Sequence, residues 1–191
     1  MPAFIKVKNL VKEFPICKGL FNKQTGAVHA VSNISLDIHK GETLGLVGES
    51  GCGKTTAGRC ILGLLPATSG SVTLENRDIT KVGRKEFKEL RKRMQIVFQN
   101  PYSSLNPRMS IDQILKEPLV IHHNISRKEQ NDFIAKLLDM VGLNESVLAR
   151  YPHEFSGGQS QRIAIARPIS TGPKFIMMDE PTSALDMSVQ A

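Results

Sequence analysis

The sequence predicts an α/β protein in which an α-helical subdomain interrupts a core of strands and helices. Three observations carry that prediction. A glycine-rich segment, Gly48 to Thr55, lies between an apolar run, Thr43 to Val47, and an amphipathic helix. A second apolar run, Lys174 to Met178, ends on the acidic pair Asp179 and Glu180. Between Gln99 and about Gly158 helix starts recur and no convincing strand is found. Continuous apolar runs are the mark of buried parallel strands, whereas alternating runs belong to half-exposed ones. The expected division is a core of residues 1–98 and 160–191, with 99–159 as the helical subdomain.

The first strand is expected at Phe4 to Leu10, where Phe4, Lys6 and Lys8 alternate with Ile5, Val7 and Asn9. Ser32 to Ile38 places Ile34, Leu36 and Ile38 on one face. Thr43 to Val47 follows as a buried strand. The helix after the glycine-rich segment presents Ala57, Cys60, Ile61, Leu64 and Leu65 on one stripe. Ser71 to Leu74 comes after the turn Thr68-Ser69-Gly70, and Met94 to Phe98 after a basic helix, Arg84 to Met94, with Phe87, Leu90 and Met94 inward. Three later helices announce their starts. Ser110 with Gln113, Ser126 with Glu129 and Ser156 with Gln159 each fit the reciprocal capping pattern. The helix after Ser126 carries Ile134, Leu137, Leu138 and Val141 on one stripe and stops at Gly142. No internal repeat or low-complexity segment is present.

Composition bounds the function classes. With 40% hydrophobic and 23% charged residues over 191 positions, the chain is an ordinary globular one and not a disordered one. Apolar runs such as Ile61 to Leu65 are too short to cross a bilayer, and the N-terminus lacks the pattern of a secretory signal. Cys17, Cys52 and Cys60 form no CxxC pair, which points to a reducing compartment and away from a zinc site. The net charge of +7 admits nucleic acid, an anionic membrane surface or an anionic ligand as partner. Its densest stretch, Lys81 to Arg93, has no interleaved aromatic residues and reads as a solvated helix face.

Gly48-Glu49-Ser50-Gly51-Cys52-Gly53-Lys54-Thr55 matches the pattern GxxxxGKS/T, in the strand–loop–helix setting that the pattern needs. Glycines let the backbone wrap an anion with its N–H groups inward, and the helix N-terminus adds partial positive charge. Lys54 is placed to reach the β- and γ-phosphates of a nucleoside triphosphate, the Thr55 hydroxyl to ligate magnesium, and Thr56 closes the loop. Cys52 reads as a small filler residue and not as a nucleophile, because no base lies near it in sequence. Asp179 and Glu180 stand at the C-terminal end of an apolar strand, where ligands bind in open α/β sheets. Asp179 can hold magnesium there, and Glu180 can polarise an attacking water.

Phe155-Ser156-Gly157-Gly158-Gln159-Ser160-Gln161-Arg162 resembles the signature sequence of ATP-binding-cassette ATPases, where Leu-Ser-Gly-Gly-Gln is usual. Ser156 caps a helix whose N-terminus, flanked by two glycines, makes a second anion site. The resemblance runs over essentially the whole chain. It implies a P-loop NTPase with a RecA-like core, N-terminal antiparallel strands and an inserted helical subdomain, using ATP and Mg2+. By the same resemblance Gln99 contacts magnesium and the attacking water and begins the segment facing membrane subunits. Ser183-Ala184-Leu185-Asp186 resembles the loop that crosses the dimer interface. Gln99 to Met109, Gly48 to Lys54 and Tyr151 to Gly158 resemble the oligopeptide and dipeptide importers and their nickel- and glutathione-importing relatives, the second of two paired ATPases.

That resemblance implies a head-to-tail dimer with a second ATPase subunit, two transmembrane permease subunits and, indirectly, a substrate-binding protein, with no nucleic acid expected. It implies a cytoplasmic location, peripheral on the inner face of the cell membrane. Each nucleotide would sit between the phosphate loop of one subunit and Ser156, Gly157, Gly158 and Gln159 of the other. Three departures stand against the pattern. The family's switch histidine lies on a later strand, and His29, His39, His122, His123 and His153 all precede the acidic pair, which raises a C-terminally truncated chain without ATPase activity as an alternative. Pro168 replaces a usual alanine and predicts a kink or early helix end. The adenine-stacking aromatic residue is not obvious: Phe14 and Phe21 are candidates, and the segment Lys18 to Val28 is longer than in the simplest family members. A soluble cassette ATPase acting on nucleic acid or ribosomes is a further alternative, against which the Gln99 to Met109 segment argues.

Overall fold

A computed structural model describes residues 2–19, 23–123 and 125–181. Two compact units divide the chain at Phe87 and Lys88. The first holds a four-stranded antiparallel sheet in the order β2-β1-β3-β4, formed by β1 (Ile5–Lys18), β2 (Lys23–Ile38), β3 (Ser69–Leu74) and β4 (Arg77–Asp78), with helix α1 (Lys54–Ile61) packed on β1 and β2.

The sheet's buried face is the alternation anticipated in the sequence. Ile5 stands opposite Ile38 and Leu74, and Val7 opposite Leu36 and Val72. Ile5, Val7, Val72 and Leu74 are all buried. The alternation slips at Asn9, whose φ of 49° marks a bulge where both pairings change register. The extra residue turns Leu10 back into the core. Beyond Val11, β1 and β2 continue as a two-stranded ribbon on which Phe14, Ile16 and Val28 are exposed.

Thr43 to Val47 is not the buried strand its composition predicts. Residues 42–49 have no ladder partner among the described residues, and Val47 is 93% exposed. An apolar run specifies burial, but a strand exists only through a neighbour that takes up its N–H and C=O groups. The expected stripe of α1 is also cut short. The helix ends at Ile61, Gly63 turns with φ 66°, and Leu64 is exposed in place of packing with Ala57 and Cys60.

In the second unit β5 (Met94–Val97) pairs in parallel with β6 (Phe175–Met178), from Met94 opposite Phe175 to Val97 opposite Met178. The strand expected to be buried is half-buried and Met178 is exposed, because β5 is its one neighbour among the described residues. Helix α2 (Arg84–Arg93) precedes β5, and α3 (Pro101–Ser104), α4 (Ile111–His122), α5 (Arg127–Met140) and α6 (Gly157–Ile169) follow it. All three expected capping boxes form, at Ser110, Ser126 and Ser156. Gly142, with φ 66°, ends α5 in a Schellman motif: Gly142 N–H bonds Asp139 O and Leu143 N–H bonds Leu138 O.

The helices close over their own core, in which Leu115, Leu137, Leu138 and Ile163 are fully buried. Pro168 sits one residue before the end of α6, so the early-end alternative is realised. There Ser170 Oγ and Thr171 Oγ1 cap the carbonyls of Arg167 and Pro168. No helix among the described residues is long and apolar enough to cross a membrane.

Candidate functional site

The phosphate loop leaves the exposed 42–49 segment and turns into α1. Gly51 and Gly53 have φ of 79° and 96°, backbone that L side chains rarely adopt. A Cβ on Gly53 would lie 2.0 Å from the Ala30 carbonyl oxygen of β2, so this glycine is also required by close approach. One on Gly48 would meet Cys52 Sγ at 2.7 Å. Lys54 folds back across the loop, donating to Gly48 O at 2.8 Å and Glu49 O at 2.7 Å. Glu49, Ser50, Gly51 and Cys52 are exposed, while Thr55 and Thr56 are half-buried in the first helical turn. No side chain caps α1 at Gly53, and no acidic residue stands in its first turn. The partial positive charge of the helix start is therefore not offset by a carboxylate of its own first turn.

In the second unit β6 delivers the acidic pair. The Asp179 N–H continues the ladder to Val97 O at 3.0 Å, and Asp179 is buried at the strand's end. Glu180 turns into the left-handed region with φ 47°, uncommon for a residue with a Cβ. From there its carboxylate meets the Gln99 side-chain amide, which donates to Glu180 Oε2. Gln99 follows β5, so the parallel pairing of β5 with β6 is what brings these two residues together.

The glycine-rich helix start is built as expected. Ser156 Oγ accepts from the Gln159 N–H at 3.4 Å, and Gln159 Oε1 accepts from the Ser156 N–H at 3.3 Å. Gly157 and Gly158 form the first turn, half-buried. The body of α6 is held by side chains to which the sequence assigned no role. Arg167 donates to Ser104 O at 2.9 Å and to Glu117 Oε2 at 2.7 Å, tying α6 to α3 and α4. Arg162 donates to Gly142 O at 3.2 Å. The Tyr102 hydroxyl of α3 stands 3.5 Å from Phe155 O, just before the helix start.

An open cavity of about 200 Å³ lies between β5, α4 and α6, lined by Phe98, Glu117, Pro118, His122, Arg167 and Pro168 among others. Burial holds the His122 imidazole below its ordinary pKa, helped by the charges of Lys88, His123 and Lys92 and opposed by Glu89.

Of the two candidates for adenine stacking, Phe14 is on β1, part-exposed, with Lys12 Nζ 4.9 Å from its ring centre. Phe21 and the loop Ser183 to Asp186 lie outside the described residues.

Comparison with known proteins agrees with these elements. The family described as ABC transporter matches residues 31–183. The oligopeptide transport ATP-binding protein AppF of Bacillus subtilis is 47% identical over 190 residues, covering 99% of this chain and 58% of that protein. The glutathione import ATP-binding protein GsiA of Pectobacterium atrosepticum is 46% identical over 187 residues, covering 98% of this chain and 30% of that protein. The chain thus spans about 58% of the length of the first of these relatives and less of the second. Among solved structures, the ATP-binding cassette MJ0796 in a dimeric, post-hydrolysis state bound to ADP and Pi superposes with a TM-score of 0.85 at 30% identity, over 96% of this chain and 77% of that one. With a phosphate loop, a signature helix and an acidic strand in that order, the chain belongs to the ABC transporter family.

Proposed function

We propose that this chain is the ATP-binding and hydrolysing subunit of an importer for oligopeptides or dipeptides, working at the inner face of the cell membrane. The observation that carries the reading is 47% identity across 99% of the chain to an oligopeptide transport ATP-binding protein. In this reading Gly48 to Thr56 hold the triphosphate, and Lys54 leaves the carbonyls of Gly48 and Glu49 for the β- and γ-phosphates. Glu180 polarises the attacking water, oriented by the Gln99 amide that already rests on its carboxylate. Thr55, Gln99 and Asp179 would hold magnesium; hydroxyl, amide and carboxylate oxygens are the hard donors that this ion prefers. When bound, the ion neutralises phosphate charge.

Ser156 to Gln159 serve the nucleotide on the partner ATPase, which makes the assembly a head-to-tail dimer. The segment from Gln99 to α4 meets the permease subunits, and the cavity beside Phe98 and Glu117 borders it. A substrate-binding protein delivers the cargo. The test is reconstitution of the full-length protein with its permease subunits in vesicles. ATP-dependent peptide uptake is expected, abolished by Lys54→Ala together with ATP binding. Unchanged ATP binding by Lys54→Ala would remove the phosphate-loop assignment, and ATP turnover without uptake of any peptide would remove the importer reading.

A further inference from the structure

Gln161 and Ser160 are buried residues of α6 with a side-chain polar atom that has no hydrogen-bond partner among the described residues. Gln161 is 0% exposed, yet it carries an amide where a leucine would pack. Its Nε2 donates to the Pro181 carbonyl at 2.8 Å, and its Oε1 has no partner among the described residues. A buried acceptor without a partner is destabilising, so the amide carries a stability penalty that an apolar side chain would not. What it holds is Pro181, the residue after Glu180, and Glu180 is itself in the left-handed region at φ 47°.

We infer that Gln161 is a positioning residue for Glu180. The carboxylate is fixed from two sides: the Gln99 amide holds its oxygen, and the Gln161 amide holds the carbonyl of Pro181, the next residue. Without the second contact the left-handed turn relaxes and the carboxylate leaves Gln99. Gln161 stands two residues beyond Gln159 on the same helix, so the element that serves the partner's nucleotide also sets the carboxylate serving this chain's own. Movement of α6 on closure over the partner's nucleotide is thereby transmitted to Glu180. The inference rests on the proposed role of Glu180 in hydrolysis.

The experiment uses the full-length protein assembled with its partner subunits, and ATP as probe. The unsubstituted complex must turn over ATP and Glu180→Gln must abolish it; failure of either removes the functional reading and this inference with it. Gln161→Leu then tests the inference alone. A displacement of the carboxylate of about 1 Å lowers turnover by about ten- to a hundredfold. The expected result is that fall in kcat with KM for ATP within about twofold and a urea midpoint unchanged or raised, since the orphan acceptor is gone. Gln161→Met, with an unbranched side chain of similar length, repeats the measurement if leucine is not accommodated. A kcat within about twofold of the unsubstituted complex, or a loss of kcat matched by a fall in the urea midpoint in both variants, overturns the inference.

Discussion

Gly53→Ala is the sharpest test of how the phosphate loop is made. Two separate costs attach to a methyl group there. An L-residue in the left-handed region costs about 1–2 kcal/mol, and the φ of 96° lies well outside the centre of that region near 57°. The second cost is steric: the new Cβ would stand 2.0 Å from Ala30 O, a backbone atom of β2 that no rotamer change removes. Opening that contact to an ordinary separation moves the loop by roughly 1 Å or more, enough to misalign its N–H groups.

Gly51→Ala separates the two costs. Its φ is 79°, but nothing lies within 4 Å of the added Cβ, so it bears the conformational cost alone. In the full-length protein, equilibrium titration with a fluorescent ATP analogue should show Gly53→Ala binding at least about tenfold more weakly than Gly51→Ala, equivalent to ~1.4 kcal/mol. Urea midpoints measured in parallel should rank unsubstituted, Gly51→Ala, Gly53→Ala. Equal affinities for the two variants would refute the claim that the approach of Ala30 to Gly53 shapes the loop.

Leu137→Ala, in the fully buried helical core, should destabilise the protein by about 2–5 kcal/mol in urea unfolding, against little change for the exposed Met140→Ala. Ser126→Ala removes the cap of α5 and should cost about 1 kcal/mol by the same assay, with Ser126→Gly nearer neutral. His122 is held below its ordinary value of 6.5, so the unfolded chain takes up this proton first as pH falls. Its contribution to stability is therefore full above about pH 6.5 and is lost as pH falls through the depressed folded value. Urea midpoints between pH 7.5 and 5 should accordingly drop less in His122→Asn than in the unsubstituted protein, and an identical drop would remove His122 as the source.

The parts of the fold that were legible are those whose partners lie within a few residues. Ser110, Ser126 and Ser156 each find their reciprocal partner three positions on, and the structure closes all three boxes. Gly142 answers carbonyls of its own helix. The phosphate loop was legible for the same reason, since Lys54 bonds carbonyls five and six residues back. The close approach of Ala30 to Gly53 was not, because it depends on where β2 passes. Nor was the slip at Asn9, where alternation counted along one strand carries no information about the bulge that pairing with two neighbours imposes.

Thr43 to Val47 shows the same limit from the other side. Helical residues carry their hydrogen-bond partners with them; a parallel strand does not, and its apolar run states only that a partner is needed. The signature helix combines both cases in one element. Its beginning, where Ser156 and Gln159 close their reciprocal cap, is written in four consecutive residues. Its tethers reach 20 residues to Pro181, 50 to Glu117 and 63 to Ser104. The half of α6 that would bind nucleotide is thus local and readable, while the half that would relay binding to Glu180, α3 and α4 is made of long-range contacts. A motif search finds the first and passes over the second, although Gln161 and Arg167 stand only two and eight residues beyond Gln159.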